Sequence, residues 1–217
     1  HAARRNWVLA DQFEPGSTFK IITSAAALEE GVVRRNSQFY DPGFIVVEDR
    51  RLKCWRAGGH GSQTFIEAVE NSCNPVFASL ALRLGSEKFL EYINAFGFGK
   101  QTGVDFPGEA KGIIPPLSRI KNVELATIGF GQGISITPLQ LLNALSVIAN
   151  GGELLQPHLV KEIRTPDGKQ VIKEFGKNTI RRVISKQTAE ELSLILQSVV
   201  ENGSGNRARI EGYSVAG

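Results

Sequence analysis

Methionine is absent from the 217 residues, and a chain that opens His1-Ala2-Ala3 does not begin at a native translation start. An excised or processed segment is expected, with any membrane anchor upstream of it. Long apolar runs are also missing. Residues 21–28 and 138–149 are the most apolar, and both fall well short of the roughly 20 residues that a spanning helix needs. No signal-peptide pattern stands at the start. Cysteine occurs only at Cys54 and Cys73, too sparsely for a disulfide framework. Neither thiol has a His or Cys neighbour at zinc-motif spacing, so no metal site is expected. Charge of one sign is not in excess either. The 25 Lys and Arg against 22 Asp and Glu are too evenly balanced for a nucleic-acid partner. The one basic run, Arg50-Arg51-Leu52-Lys53, reads as a solvated hairpin edge.

What is present fits an ordinary globular protein. At 41% hydrophobic and 22% charged residues the chain can bury a sizeable core. Pro15-Gly16-Ser17 reads as a turn running into a helix over 18–30. Ile21, Ile22, Ala25, Ala26 and Leu28 give that helix an apolar face wide enough to bury it on most sides, and Gly31 stops it. Two short strands, 44–47 and 51–55, flank a turn, and 58–62 is a loop. Helices follow over 65–71, 75–84 and 87–96, the second opened by Pro75 and the third capped by Ser86. Residues 97–122 hold much of the Gly and Pro and read as a long loop. A short helix covers 123–128. Thr137-Pro138 opens a helix to Asn150, a hairpin pairs 159–164 with 170–175, and Ser185 caps a final helix over 186–201. Helix dominates, and the expected class is α+β.

Two patterns carry chemistry. Ser17-Thr18-Phe19-Lys20 is an S-x-x-K tetrad at a helix start, and residues three apart share one helix face, so the amine can reach the hydroxyl. A serine hydroxyl is a poor nucleophile until a base takes its proton. Lysine serves as that base only where burial lowers its pKa, which this apolar helix would supply. The Ser17 N–H, at the positive end of the helix, can donate to a developing oxyanion. Two fixed residues recur by chance, however, and the alternative is a plain helix start with a solvated lysine. Ser72-Cys73-Asn74, an S-x-N tripeptide between two helices, offers a hydroxyl to relay a proton and a carboxamide to hold a substrate amide. Taken alone it reads better as a capping serine before Pro75.

Together, Glu14-Pro15-Gly16-Ser17-Thr18-Phe19-Lys20, Gly59-His60-Gly61, Asn71-Ser72-Cys73-Asn74-Pro75, Phe130-Gly131-Gln132-Gly133, Thr137-Pro138-Leu139-Gln140-Leu141 and Gly212-Tyr213-Ser214-Val215-Ala216-Gly217 resemble the penicillin-binding transpeptidases. The likeness covers nearly the whole chain and is greatest to the monofunctional, class B branch, which includes division and spore-cortex enzymes of Gram-positive bacteria. It implies the helix-rich part of that fold, with most of a central antiparallel sheet outside residues 1–217. It also implies a D,D-transpeptidase that acts on D-Ala-D-Ala stem peptides of peptidoglycan, is inhibited by β-lactams, and needs no cofactor. Ser17 would be the nucleophile, Lys20 the base, Ser72 the relay and Asn74 a substrate anchor. The family's third motif, K-T-G, is expected just after Gly217, from the rest of the same domain, and without it the segment is expected to be a weak catalyst. Lys100-Gln101-Thr102-Gly103 is out of register and no substitute. The resemblance further implies an extracytoplasmic, membrane-anchored location and partners in a division or sporulation complex. A β-lactamase or β-lactam sensor shares the first two motifs, and a non-catalytic assembly module is a further alternative.

The remaining residues divide more evenly. Gly131 and Gln132 would line the substrate site, since glycine permits close approach, though tight packing explains them equally well. His60 either shapes the cleft wall or is a turn histidine without a catalytic task. Lys53 and Lys88, at exposed positions, are poor alternatives to Lys20. Cys54 and Cys73 form a candidate redox pair: an extracytoplasmic bridge between them would pin the second motif until reduced.

Overall fold

A helix with no solvent face sits at the centre of the chain. The computed structural model describes residues 5–217, and in it α2 (Lys20–Glu29) buries Lys20, Ile22, Thr23, Ser24, Ala25, Ala26 and Ala27. Its alanines allow close approach by helices packed on every side: α4 (Asn74–Leu84), α5 (Ser86–Ala95), α7 (Pro138–Ala149) and α8 (Lys186–Asn202). Phe19, at the entrance to α2, fills the core against Phe89 and Phe98, with ring centroids 6.4 and 5.3 Å away. Gly31, at φ +65°, ends the helix as a C′ residue. Its N–H bonds to Leu28 and that of Val32 to Ala27, at 3.0 and 2.9 Å, the paired closure of a Schellman motif.

The shorter helices are α1 (Trp7–Ala10), α3 (Phe65–Glu70) and α6 (Asn122–Ile128). Where the sequence carries full capping signals the helices begin as read. Thr64 and Glu67 form a capping box on α3, and Thr137 and Gln140 form another on α7 with Pro138 in its first turn. Ser86 differs, lying inside α5 with Gly85 as the cap. The segment 97–121 is irregular apart from a 3-10 turn at Leu117–Arg119. Gln140 ties it down: its side-chain nitrogen donates to Lys100 O and Lys111 O at 2.7 and 3.0 Å.

Strands play a minor part, and no sheet among the described residues exceeds two. The hairpin of β2 (Phe44–Val47) and β3 (Arg50–Lys53) and that of β6 (Glu162–Arg164) and β7 (Val171–Glu174) follow the sequence reading closely. Two antiparallel pairs do not. β1 (Gln38–Asp41) joins β4 (Gly61–Thr64), and β5 (Glu153–Leu155) joins β8 (Thr179–Arg182). The stretch read as a loop at 58–62 thus becomes strand from Gly61. Apolar alternation could not reveal β1 and β4, because Asp41 and Gln63 are buried there at 0% and 3% exposure. The chain is α+β with helix predominant, as expected.

Candidate active site

The nucleophile segment is held by backbone pairing and by one carboxylate. Residues 13–16 run beside 131–136: Phe13 and Ile136 exchange two hydrogen bonds, Gly16 N–H donates to Gly131 O at 3.0 Å, and Glu14 Oε1 accepts from Gly133 N–H at 2.9 Å. A 3-10 turn at Gly16–Phe19 leads straight into α2. It leaves Ser17 exposed while Lys20, a turn further on, is only 3% exposed. The i, i+3 geometry read from the sequence holds, with Lys20 Nζ 3.1 Å from Ser17 Oγ.

Ser72 and Asn74 reach the same amine from the turn between α3 and α4. Lys20 Nζ lies 2.7 Å from Ser72 O, 2.8 Å from Ser72 Oγ and 2.7 Å from Asn74 Oδ1. Ser72 takes a left-handed backbone, φ +50°, uncommon for a residue other than glycine and typical of strained functional turns. The strain turns both its carbonyl and its hydroxyl toward Lys20. Asn74 Nδ2 points the other way, toward Lys53 O at 3.5 Å, which sets the carboxamide orientation.

These contacts determine what the amine can do. Ser72 O and Asn74 Oδ1 accept only, so they take two N–H bonds. The remaining position on Nζ faces the two hydroxyls. In the neutral amine that position is the lone pair, aimed at Ser17 Oγ and Ser72 Oγ. Burial lowers the Lys20 pKa from 10.5 to about 8, opposed in part by the charges available to Cys73 and Cys54. A cavity of ≈ 200 Å³, lined by Ser17, Thr18, Val69, Ser72 and Leu196 among others, opens beside the nucleophile.

Four of the residues singled out in the sequence, Ser17, Lys20, Ser72 and Asn74, therefore converge. Gly131 is buried against the nucleophile segment, and a Cβ there would meet Gly16 O at 2.0 Å. Close packing, the second reading of this glycine, accounts for it. Gln132 is exposed at the same turn and hydrogen-bonds none of the four. Glu14 was missed as the clamp on this turn, since nothing local marks a carboxylate that bonds a backbone more than a hundred residues away. Lys88 lies elsewhere, paired with Glu91 at 2.9 Å.

Spacing along the chain led to the expectation of no metal site, and the fold gathers further donor-type side chains around the two thiols. Cys54 and Cys73 are free thiols, and the fold adds two ligand-type neighbours, Asp41 and His60, with all four donor atoms within 4.8 Å of one another. Spacing along the chain hid this, because the β1–β4 ladder pairs Asp41 with Gly61 and so brings His60 alongside. His60 faces inward from its turn: its side chain is 1% exposed and its Nδ1 lies 3.0 Å from Asp41 Oδ2. Burial alone would raise Asp41, but hydrogen bonds from Cys54, His60, Gly43 and Cys73 hold it at about 2. Burial pushes Cys73 up to about 12 and raises Cys54.

An exposed serine whose hydroxyl faces a buried, pKa-lowered lysine, with a second serine on the same amine, is the arrangement of serine acyl-transfer proteins that use lysine as the base. The penicillin binding protein transpeptidase domain matches residues 2–217, and the chain belongs to that family. It is 49% identical over 98% of its length to stage V sporulation protein D of Bacillus subtilis. Among solved structures, the D,D-transpeptidase domain of a peptidoglycan glycosyltransferase from Eggerthella lenta superposes with TM-score 0.91 at 30% identity, over 98% of this chain and 54% of that one. Penicillin binding protein 3 of Mycobacterium tuberculosis, complexed with aztreonam, gives 0.87 at 31% identity, over 96% and 48%. The chain spans 33% of the length of the sporulation protein. No described helix is long and apolar enough to cross a membrane.

Proposed function

We propose that this chain carries the acylation machinery of a D,D-transpeptidase that cross-links peptidoglycan stem peptides. The observation behind this reading is the single amine, Lys20 Nζ, in contact with both Ser17 Oγ and Ser72 Oγ. Neutral Lys20 takes the Ser17 proton as Oγ attacks the carbonyl carbon of the penultimate D-Ala, and the Ser17 N–H, in the first turn, donates to the oxyanion. As the peptide C–N bond breaks, the proton passes from Lys20 through Ser72 Oγ to the leaving D-Ala amine. An ester on Ser17 remains, which the amine of a neighbouring stem peptide attacks. Asn74, beside the turn, anchors the substrate amide. β-Lactams acylate Ser17 by the same route, in keeping with the aztreonam complex of the mycobacterial relative.

The same reading places the reaction outside the cytoplasm on an anchored polypeptide, with K-T-G supplied by the rest of the domain and sporulation or division proteins as partners. Stage V sporulation protein D as a close relative supports a spore-cortex role. The test is the intact mass of a polypeptide that continues through K-T-G after incubation with benzylpenicillin, beside Ser17→Ala. A stable one-to-one adduct, absent from the variant, is expected. Rapid turnover of the drug would make the protein a β-lactamase, and no adduct at all would leave it an assembly module.

A further inference from the structure

Behind the Ser72-Cys73-Asn74 turn, four side chains that the acyl transfer does not use point their donor atoms at one place. Asp41 Oδ2 lies 3.0 Å from His60 Nδ1 and 3.3 Å from Cys73 Sγ, and Cys54 Sγ lies 3.3 Å from His60 Nδ1. Asp41 and His60 are 0% and 1% exposed in their side chains, Cys73 is fully buried and Cys54 half-buried. We propose that Asp41, Cys54, His60 and Cys73 form a tetrahedral site for a divalent cation of zinc type, which clamps the S-x-N turn from behind.

Dimensions support the assignment. Zinc bonds of about 2.0–2.3 Å to oxygen, nitrogen and sulfur imply tetrahedral edges of roughly 3.3–3.8 Å. The three separations of 3.0–3.3 Å need to open by only a few tenths of an ångström, and the widest in the set, within 4.8 Å, to close by up to about 1 Å. Donor chemistry agrees: two sulfurs, one imidazole and one carboxylate select a borderline-soft ion over magnesium or calcium. Asp41 is a buried carboxylate that no lysine or arginine reaches among the described residues, the situation a cation resolves. An outer shell is in place too. Gly43 N–H holds Asp41 Oδ1 at 2.7 Å and His60 N–H holds Oδ2 at 3.0 Å. The His60 ring is aimed by its Nδ1 contact to Asp41 Oδ2, while its Nε2 is buried without a partner.

A Cys54–Cys73 disulfide, the candidate redox bridge, would use the same sulfurs. It needs neither Asp41 nor His60, and their convergence favours the cation. Binding forms two metal–sulfur bonds and releases the two thiol protons to solvent. The position gives the site its purpose. Cys73 separates Ser72 from Asn74, and Cys54 follows Lys53, whose carbonyl accepts from Asn74. One ion thus fixes both sides of the turn that meets Lys20.

This inference does not depend on the transpeptidase reading, and its test reads no activity. The reduced, chelator-stripped protein is titrated with zinc against a chromophoric chelator and, separately, with cobalt(II). Expected are one ion per chain, tetrahedral cobalt absorption with a thiolate-to-metal charge-transfer band, and both thiols shielded from maleimide until chelator is added. Cys54→Ser should weaken the band, and Asp41→Asn should lower zinc affinity by ~100-fold or more. Should these variants fail to fold, zinc-dependent thiol shielding in the unaltered chain decides alone. No stoichiometric zinc in the reduced protein, or cobalt bound without the thiolate band, overturns the proposal and leaves the pair to redox chemistry.

Discussion

At the scale of single residues, the site turns on placing a charge-bearing group where charge is disfavoured. Lys20 is 3% exposed, and burial brings its pKa to about 8. At pH 7 about a tenth of the molecules then hold it neutral, against fewer than about one in a thousand for a solvated lysine. With the neutral amine as the proposed base and the folded pKa the lowered one, acylation of Ser17 should rise with pH below about 8 and level off above it. The second-order rate constant with benzylpenicillin, measured from pH 6 to 9.5, checks this. A flat profile would mean that Lys20 is not the base. Lys20→Arg keeps a cation but cannot give up its proton, and it should slow acylation by ~100–10,000-fold at every pH. Ser72, strained at φ +50°, illustrates a residue whose role lies in its backbone as much as its hydroxyl. S-x-N in the sequence shows the hydroxyl and says nothing of the strain.

Elements set these residues in place by close backbone approach. The strand-like run 13–16 presses on 131–136, and Gly131 leaves no room for a side chain beside Gly16 O. Gly131→Ala should displace the turn that carries Ser17 and cut acylation by ~100-fold or more, since misplacement of about 1 Å costs that much. Gly133→Ala supplies the comparison. It has the same positive φ, but its Cβ meets only Thr127 Oγ1 at 3.9 Å, so its loss should be much smaller. Equal losses would place the effect in backbone strain and not in the clash. Helix starts with a complete chemical signal, such as Thr137-Pro138 with Gln140, were legible because capping is a local transaction. β1 and β4 were not, because their inward residues include Asp41 and Gln63, and the reasons for burying these lie in other segments.

For the molecule as a whole, stability should be graded from the centre outward. α2 is enclosed by four helices, whereas β7 is exposed along its length, and a lone two-stranded ribbon is marginal in water. Amide exchange should protect α2 by ~1,000-fold or more over β6 and β7. Equal protection would show that the ribbon belongs to the cooperative core. Amino-acid order alone determined the apolar central helix, its Gly31 stop, the helix starts with complete caps and the Ser17–Lys20 pairing, because each is encoded within a few residues. Tertiary structure alone decided that Ser72 and Asn74 share the Lys20 amine, that Gly131 packs on Gly16, and that Asp41 and His60 join the two cysteines. Those contacts join segments far apart in the chain, and their geometry exists only once helix packing and the β1–β4 ladder have closed the loops between them.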